Sequence, residues 1–191
     1  PYQDYIGGQV LMALALAVKA GITPIERTKW MKALSYYQHR SQYKRRADLV
    51  SWMVQGLGAC WQLEPKRELA VNIFALVDWV LEYQSQLDGG FTTRQQQGRA
   101  DYMTAVYLEA VAVALNIARQ TKDQLRTERY QQACELGFAF LDKQTVQARD
   151  ASVLPNLAWA EGGLRQSTTN STLRIDFTQH ALSAALYTLG K

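Results

Sequence analysis

The chain has 191 residues, of which 48% are hydrophobic and 20% charged, and it carries a formal net charge of +4. These proportions are those of one ordinary folded domain and exclude a disordered chain. Four prolines, twelve glycines and two cysteines exclude a collagen-like chain, a proline-rich linker and a disulfide framework, and no apolar run is long enough to cross a bilayer.

Apolar residues recur at helical spacing along almost the whole chain, which predicts an all-α fold of about seven helices. The predicted helices span 4–20, 25–43, 47–63, 66–86, 101–120, 124–146 and 174–189. Glycines and prolines separate them, and no segment alternates with period two for long enough to predict a strand. Two longer connections, 87–100 and 147–173, are of the length that is typical of functional loops.

The first residue is Pro1, and no basic segment followed by an apolar one marks a signal peptide. We therefore expect residues 1–191 to form a single domain that belongs to a longer chain, and the sequence assigns no compartment. Lys and Arg are scattered, so nucleic acid is not an expected partner.

Four of the predicted helices begin alike, with an aspartate, a bulky residue and then small and apolar residues. These aspartates are Asp4, Asp48, Asp101 and Asp176. The last three each follow an arginine by two positions, namely Arg46, Arg99 and Arg174. Because an aspartate at a helix start accepts hydrogen bonds from the free N–H groups of the first turn, the pattern predicts capping together with a local ion pair.

Helices of a second type alternate with these. The segments 25–43, 66–86 and 124–146 are more amphipathic and carry more charge. An apolar helix rich in small residues is expected to be buried, whereas a helix with a charged face is expected to lie outside. The alternation predicts an array of α-hairpins in which the buried helices all begin at one rim and each hairpin needs its neighbours.

The run from Gln84 to Phe91 contains Asp88-Gly89-Gly90 and resembles the Gln…Asp-Gly-x-Trp/Phe repeat of α/α-toroid proteins. Terpenoid cyclases and protein prenyltransferase β-subunits belong to this superfamily. A looser copy is Ala-Glu-Gly-Gly-Leu at 160–164. The helical alternation is also similar to that of six-hairpin glycosidases, sugar epimerases and toroid polysaccharide lyases. The resemblance implies a complete or partial α/α toroid whose cleft lies where the inner helices begin.

Some hallmarks of that superfamily are absent. No Asp-Asp-x-x-Asp run occurs, which argues against a terpene cyclase. The soft metal ligands are Cys60, Cys134, His39 and His180, and their wide spacing matches no zinc pattern. We therefore expect no metal and no cofactor, and we expect both cysteines to be buried thiols.

The two long connections would bring polar residues to the predicted rim. The acid–base candidates are Asp101, Glu161, Asp176 and His180, and the candidates for substrate binding are Trp52, Arg99, Tyr102, Trp159, Arg165 and Arg174. Asp176 lies four residues before His180 on one helix, so it could orient the imidazole. Tryptophans could stack on sugar faces, and arginines suit a uronate or sulfate group. The structural alternatives are a histidine bonded beneath a helix cap and a carboxylate in a plain turn.

Two functions follow. The first is a carbohydrate-active enzyme, resembling a glycoside hydrolase, lyase or epimerase, which acts on an oligosaccharide or polysaccharide by acid–base chemistry at the rim. It predicts that the four acid–base candidates meet in one pocket. The alternative is a non-catalytic α-hairpin domain that binds a glycan or a protein partner, with its open apolar edge covered by that partner or by the remainder of the parent chain.

Overall fold

A computed structural model describes residues 2–22, 27–43, 45–92, 98–150 and 156–190. It is 73% helical, with eight helices and one small sheet in these ranges, which confirms the all-α class. The elements are α1 (Tyr2–Lys19), α2 (Arg27–Tyr43), α3 (Ala47–Leu63), α4 (Arg67–Val80), α5 (Met103–Gln120), α6 (Gln124–Gln144), α7 (Leu157–Ala160), β1 (Arg165–Ser167), β2 (Asn170–Leu173) and α8 (Ile175–Thr188). Short 3₁₀ turns occupy Leu81–Tyr83 and Ala148–Asp150.

The connection 147–173 contains secondary structure that the sequence did not predict. Besides a 3₁₀ turn and the single-turn helix α7, it holds the antiparallel hairpin of β1 and β2. The prediction that the chain has no strand is therefore wrong here. The two strands have three and four residues, too few for a period-two pattern, and their polar side chains are exposed or half-buried.

The long helices pack in two layers. The helices α1, α3, α5 and α8 contact one another in chain order, and we call them the inner layer. The outer helices are α2, which contacts α4, then α4, which also contacts α3 and α5, and α6, which contacts α5. Tyr102 contacts Phe177 near the start of α5 and α8, and Asn116 contacts Tyr187 near their ends. Since the residue numbers of both partners increase in the same direction, these two helices are parallel. The expectation that the apolar helices are buried on most sides holds for α3 and α5 but not for α8, in which Phe177 and Ala184 are the buried residues, whereas the outer helix α4 has eight. Closure into a toroid stays a prediction.

The helix α5 lies at the centre of the core. Its side chains are buried over almost its whole length, including Tyr107, Leu108 and Leu115. Alanines at five positions of this helix are fully buried, and their small side chains let the neighbouring helices approach. This position explains why apolar residues occupy nearly all sides of α5 between Met103 and Ala118.

Two glycines bring α1 and α3 into close contact. A Cβ atom at Gly8 would lie 2.2 Å from the backbone oxygen of Trp52, and one at Gly56 would lie 2.4 Å from the backbone oxygen of Gly8. Both distances are too short for a carbon–oxygen contact, and backbone cannot move aside as a flexible side chain can. The two helices can therefore cross at this distance only because neither residue has a side chain.

The Gln84–Phe91 motif connects the end of α4 to the hairpin of α5 and α6 through hydrogen bonds. The Gln84 amide donates to the backbone oxygens of Gly89 (3.1 Å) and Ala133 (2.8 Å), and Gln84 pairs with Phe91 in an isolated β-bridge. The Asp88 carboxylate accepts the Gly90 N–H at 3.0 Å, so Asp88 is the turn residue that its motif predicts. Gly89 has φ +84°, a conformation that favours glycine.

The looser copy of this motif makes the same connection. Thr145 pairs with Leu164 as Gln84 pairs with Phe91. Each bridged residue then donates its N–H to a threonine hydroxyl in the first turn of the next inner helix, Phe91 to Thr104 (3.1 Å) and Leu164 to Thr178 (3.0 Å). The internal repeat in the sequence is thus a repeat in structure.

The helix-start aspartates act in two ways. The Asp101 carboxylate accepts the Met103 N–H at 2.9 Å and so satisfies a free N–H of the first turn as predicted, although the N-cap position of α5 is Tyr102. Asp48 and Asp176 are not the N-cap residues, because Arg46 and Arg174 occupy those positions, and the aspartates lie two residues further on in the first turn. There each binds its arginine through two hydrogen bonds, so the predicted local ion pair is confirmed at both. The side chain of Asp4 lies outside the described residues.

A charged cluster joins the outer helices α4 and α6. Asp78 accepts hydrogen bonds from the Tyr130 hydroxyl (2.8 Å), from Arg129 (3.1 Å) and from two nitrogens of Arg126 (3.2 and 3.3 Å). Burial raises the pKa of Tyr130, and the negative charge of Asp78 adds to that rise. The phenol therefore stays protonated and donates to Asp78 across the pH range in which proteins are handled.

Candidate functional site

Five polar side chains form a cluster inside the inner layer, which we call the Glu109 cluster: Ser51, Gln55, Glu109, His180 and Tyr187. Ser51 and Gln55 are one turn apart on α3, Glu109 is near the middle of α5, and His180 and Tyr187 lie two turns apart on α8. Because such spacings place residues on one face of a helix, each helix presents its polar residues to the others. The cluster therefore joins three inner helices.

The carboxylate of Glu109 is the centre of the cluster. Its Oε2 accepts hydrogen bonds from Ser51 Oγ (3.0 Å) and Gln55 Nε2 (3.1 Å), and it lies 3.0 Å from His180 Nδ1. Gln55 also donates to Ser51 Oγ at 2.9 Å and accepts from the Tyr187 hydroxyl at 3.2 Å. Burial raises the pKa of Tyr187, with the charge of Glu109 as a second cause, so this phenol is a neutral donor. Each of these hydrogen bonds stabilises the carboxylate or the groups that bind it.

The imidazole is, with the Tyr187 phenol, one of two members of the cluster that are partly exposed. The side chain of His180 is 13% exposed, whereas that of Glu109 is 2% exposed. A carboxylate accepts the Nδ1–H of the ring, and the neutral imidazole then has its free electron pair on Nε2. The half-buried indole of Trp52 stands edge-on to this ring, with 6.3 Å between the ring centroids. Glu109 thus sets the tautomer and orientation of a histidine beside an aromatic ring.

Among the predicted site residues, the structure brings His180 and Trp52 together, and it also pairs Arg174 with Asp176. It gives His180 a different carboxylate partner from the expected one. Glu109 binds the imidazole, while the exposed carboxylate of Asp176 is held by Arg174 at 2.8 and 3.0 Å. The expected pairing of Asp176 with His180 is therefore wrong, because the neighbouring arginine engages the aspartate and a buried glutamate from another helix faces the histidine.

A separate groove lies between the connection that precedes α5 and the β1–β2 hairpin, and we call it the rim groove. It has a volume of about 800 Å³, and Arg99 and Asp101 are among the residues that line it. Most of its other lining residues are polar: Ser85, Asp88, Thr92, Gln166, Ser167, Thr168, Thr169 and Asn170. Hydroxyl and amide groups of this kind form hydrogen bonds with a polar ligand.

The other predicted site residues have different surroundings. Tyr102 stacks on Phe177 with 3.8 Å between ring centroids, and Arg165 pairs with Asp150 at 3.0 Å. Trp159 is 91% exposed on α7, and Glu161 is exposed at the end of that helix. The four predicted acid–base residues thus occupy four settings: the rim groove for Asp101, an exposed turn for Glu161, an ion pair for Asp176 and the Glu109 cluster for His180. The prediction that they meet in one pocket is therefore wrong.

Sequence reasoning missed four members of the Glu109 cluster, namely Ser51, Gln55, Glu109 and Tyr187. A signal was present, because Glu109 is the one charged residue between Met103 and Ala118, and a charge at such a position is buried only at a large cost unless it is paired. Ser51 and Gln55 likewise interrupt an apolar face of α3. A search for polar residues within apolar helices would have found the cluster.

Within the described ranges, no three His, Cys, Asp or Glu side chains gather in a way that could hold a metal ion, and no helix combines the length and apolarity needed to span a membrane. Cys60 and Cys134 are buried free thiols, as expected. Comparisons of the chain with family models, curated proteins and solved structures found no match. The functional argument therefore depends on the Glu109 cluster and the rim groove.

Proposed function

We propose that this chain is a carbohydrate-active helical domain in which His180 is the acid–base residue and Glu109 positions it. The observation that supports the proposal is the 3.0 Å contact between a buried carboxylate and the Nδ1 atom of a partly exposed imidazole. A carboxylate in this position orients the ring and stabilises the imidazolium that forms when Nε2 takes up a proton. Nothing in a purely apolar core would require such a pair.

The kind of reaction follows from the number of acid–base groups. Hydrolysis of a glycosidic bond uses two carboxyl groups on either side of the bond. Among the described contacts of His180, the one carboxylate is Glu109, and it is buried behind the ring. A single base suits a reaction that begins by removing a proton from carbon. We therefore favour an epimerase-like or lyase-like reaction over hydrolysis.

The aromatic and polar surroundings support a carbohydrate as the ligand. Trp52 offers an apolar ring beside His180, and such rings pack against the C–H faces of sugars. The rim groove, which does not include His180 or Trp52, is a second surface of suitable chemistry and offers hydroxyl and amide groups, with Arg99 as a cation. These are the groups that bind sugar hydroxyls and acidic substituents.

The second candidate is a non-catalytic domain that binds a glycan or a protein partner. The burial of Glu109 favours this second candidate. Its carboxylate, on α5, accepts hydrogen bonds from residues of α3 and α8 and so fixes the positions of these three helices relative to one another. On this view His180 is a structural residue. The two candidates differ in whether Nε2 exchanges a proton with a bound sugar.

The deciding experiment follows deuterium transfer from solvent to sugar. The protein is incubated in D₂O with neutral and uronate-bearing oligosaccharides, and the recovered sugars are analysed by mass spectrometry. We expect deuterium at a carbon-bound position, or an unsaturated product, with one class of glycan. His180→Ala should abolish the reaction and Glu109→Gln should slow it, while the matched control Gln179→Ala, an exposed neighbour on α8, should leave it unchanged.

The same panel is tested for a rise in melting temperature, since a ligand that binds the native state must stabilise it. Stabilisation by a glycan without any chemical change would support the non-catalytic candidate. Chemical change that survives in His180→Ala would remove the proposed role of His180. The absence of both stabilisation and chemical change with every glycan would overturn the carbohydrate proposal.

A further inference from the structure

Lys and Arg occur along the whole chain, but one basic segment contains no acidic residue to balance them. Residues 27–46 contain seven of the 21 Lys and Arg residues and no Asp or Glu. The rest of the chain has fourteen cationic residues against 17 acidic ones and is therefore net negative. Most of the basic segment is the outer helix α2, which has no acidic residue in its first turn or anywhere else. A net charge of +4 for the whole chain conceals this asymmetry.

The helix α2 has two different faces. Leu34 is buried against the body of the protein, with Trp30 and Tyr37 packed on the same core. The opposite side carries Lys32, Tyr36, His39, Arg40 and Tyr43, whose spacing of three or four residues places them along one side of the helix. We call these five residues the basic face of α2. The tyrosines are well exposed, Tyr36 at 49% and Tyr43 at 74%.

Cations and rings alternate along the basic face. The guanidinium of Arg40 lies 5.9 Å from the centroid of the Tyr36 ring, and the rings of His39 and Tyr43 are 4.6 Å apart. Each exposed ring is therefore next to a basic side chain. A surface of this composition attracts an anion and at the same time offers flat rings for stacking.

We propose that the basic face of α2 binds an anionic polysaccharide, one that carries carboxylate or sulfate groups. The choice of a carbohydrate rests on the proposed function, and the charge is argued from α2 itself. Lys32 and Arg40 are eight residues apart, or about 12 Å along a helix, with Tyr36 between them. This arrangement suits a polymer whose charges alternate with sugar rings, since the cations pair with the acidic groups and the tyrosines pack on the ring faces.

Two other polyanions fit this face less well. Duplex DNA carries one charge per about 1.7 Å of its axis, a far denser array than the cations of α2. A helix that binds a membrane surface inserts an apolar face opposite its cations, but in α2 that side is occupied by the protein core around Leu34. The proposal therefore commits to a polysaccharide, and the other two polyanions are outcomes of the test.

The test measures binding of the full chain to dextran sulfate and polygalacturonate, with neutral dextran as the reference. Lys32→Gln/Arg40→Gln should weaken binding about tenfold or more, because two cations of the face are lost. Tyr36→Ala/Tyr43→Ala leaves the charge unchanged and should still weaken binding about fivefold to tenfold, since ring stacking is lost. The matched control Lys122→Gln/Lys143→Gln removes two exposed cations from elsewhere and should change binding less than twofold.

Three results would overturn the proposal. The first is an equal loss in the control variant, which would show general charge attraction. The second is unchanged binding in the tyrosine variant, which would show that the rings take no part. The third is tighter binding to duplex DNA or to anionic lipid vesicles than to either polysaccharide at the same salt concentration.

The inference and the proposed function can fail separately. His180→Ala should retain polysaccharide binding on α2, because His180 lies in the inner layer and α2 in the outer one. If the protein transfers deuterium to a sugar but its basic face of α2 binds no anionic polysaccharide, this inference alone is refuted. Binding on α2 without any deuterium transfer would refute the proposed catalysis alone.

Discussion

Glu109→Gln tests whether the buried carboxylate holds the inner helices together. The change keeps the size of the side chain and removes its charge. Hydrogen bonds to a charged group contribute about 1.5–3 kcal/mol each to stability, and Glu109 Oε2 receives them from Ser51, Gln55 and His180. The glutamine oxygen can still accept, so part of the network survives. We therefore expect the free energy of unfolding to fall by about 2–4 kcal/mol, close to the cost of breaking one side of a buried pair.

Urea denaturation at neutral pH, followed by circular dichroism, measures this change. The matched control is Glu135→Gln on α6, whose exposed carboxylate accepts one hydrogen bond from Gln131 at 3.1 Å. We expect that control to lie within about 0.5 kcal/mol of the unaltered protein. Equal, small effects of the two substitutions would refute the reasoning. Combining Glu109→Gln with His180→Ala should give less than the sum of the single effects, because the two residues are partners.

Three further predictions concern stability. Gly8→Ala should lower the free energy of unfolding by about 1–3 kcal/mol, although alanine has the better helix propensity, because its Cβ would clash with the backbone of Trp52. The control Ala13→Gly, on the exposed side of the same helix, measures the contribution of helix propensity alone. A Gly8→Ala protein that is more stable than the original would contradict the close crossing of α1 and α3. Tyr130→Phe should cost about 1–2 kcal/mol in urea denaturation through loss of the bond to Asp78, and a change near zero would show that the bond adds nothing. Burial raises the pKa of the Cys60 thiol to about 12, so the folded state keeps this proton to a higher pH than the unfolded chain does. The free energy of unfolding should therefore fall as pH rises from about 8.5 towards 12, and it should fall less steeply in Cys60→Ala. Parallel curves of stability against pH for the two proteins would refute this role of Cys60.

The helices themselves were largely predictable. The span 47–63 coincides with α3, and most other predicted bounds agree within a few residues, because apolar periodicity and helix breakers act locally along the chain. The segment 66–86 is an exception, since the α-helix ends at Val80 and a 3₁₀ turn leads into the Gln84 bridge. The β1–β2 hairpin was missed because its pairing depends on a turn between polar residues and leaves no apolar pattern.

The internal repeat was also visible in the sequence, and its physical meaning came from the structure. The glycines of the Gln84–Phe91 motif indicated a tight turn, which Gly89 provides with φ +84°. The bonds from Phe91 to Thr104 and from Leu164 to Thr178 depend on which helix follows each turn in space. No local pattern identifies those threonines as acceptors.

By itself, the sequence determined the helical class, the bounds of most helices and the presence of His180 and Trp52 near the start of two helices. The tertiary structure alone decided that the carboxylate at His180 belongs to Glu109, which lies 71 residues away, and not to Asp176. Spacing along one helix shows which residues share a face, and it does not show what the neighbouring helix presents to that face. The small residues in the inner helices set how closely those helices approach, and that packing places Glu109 between Ser51 and His180.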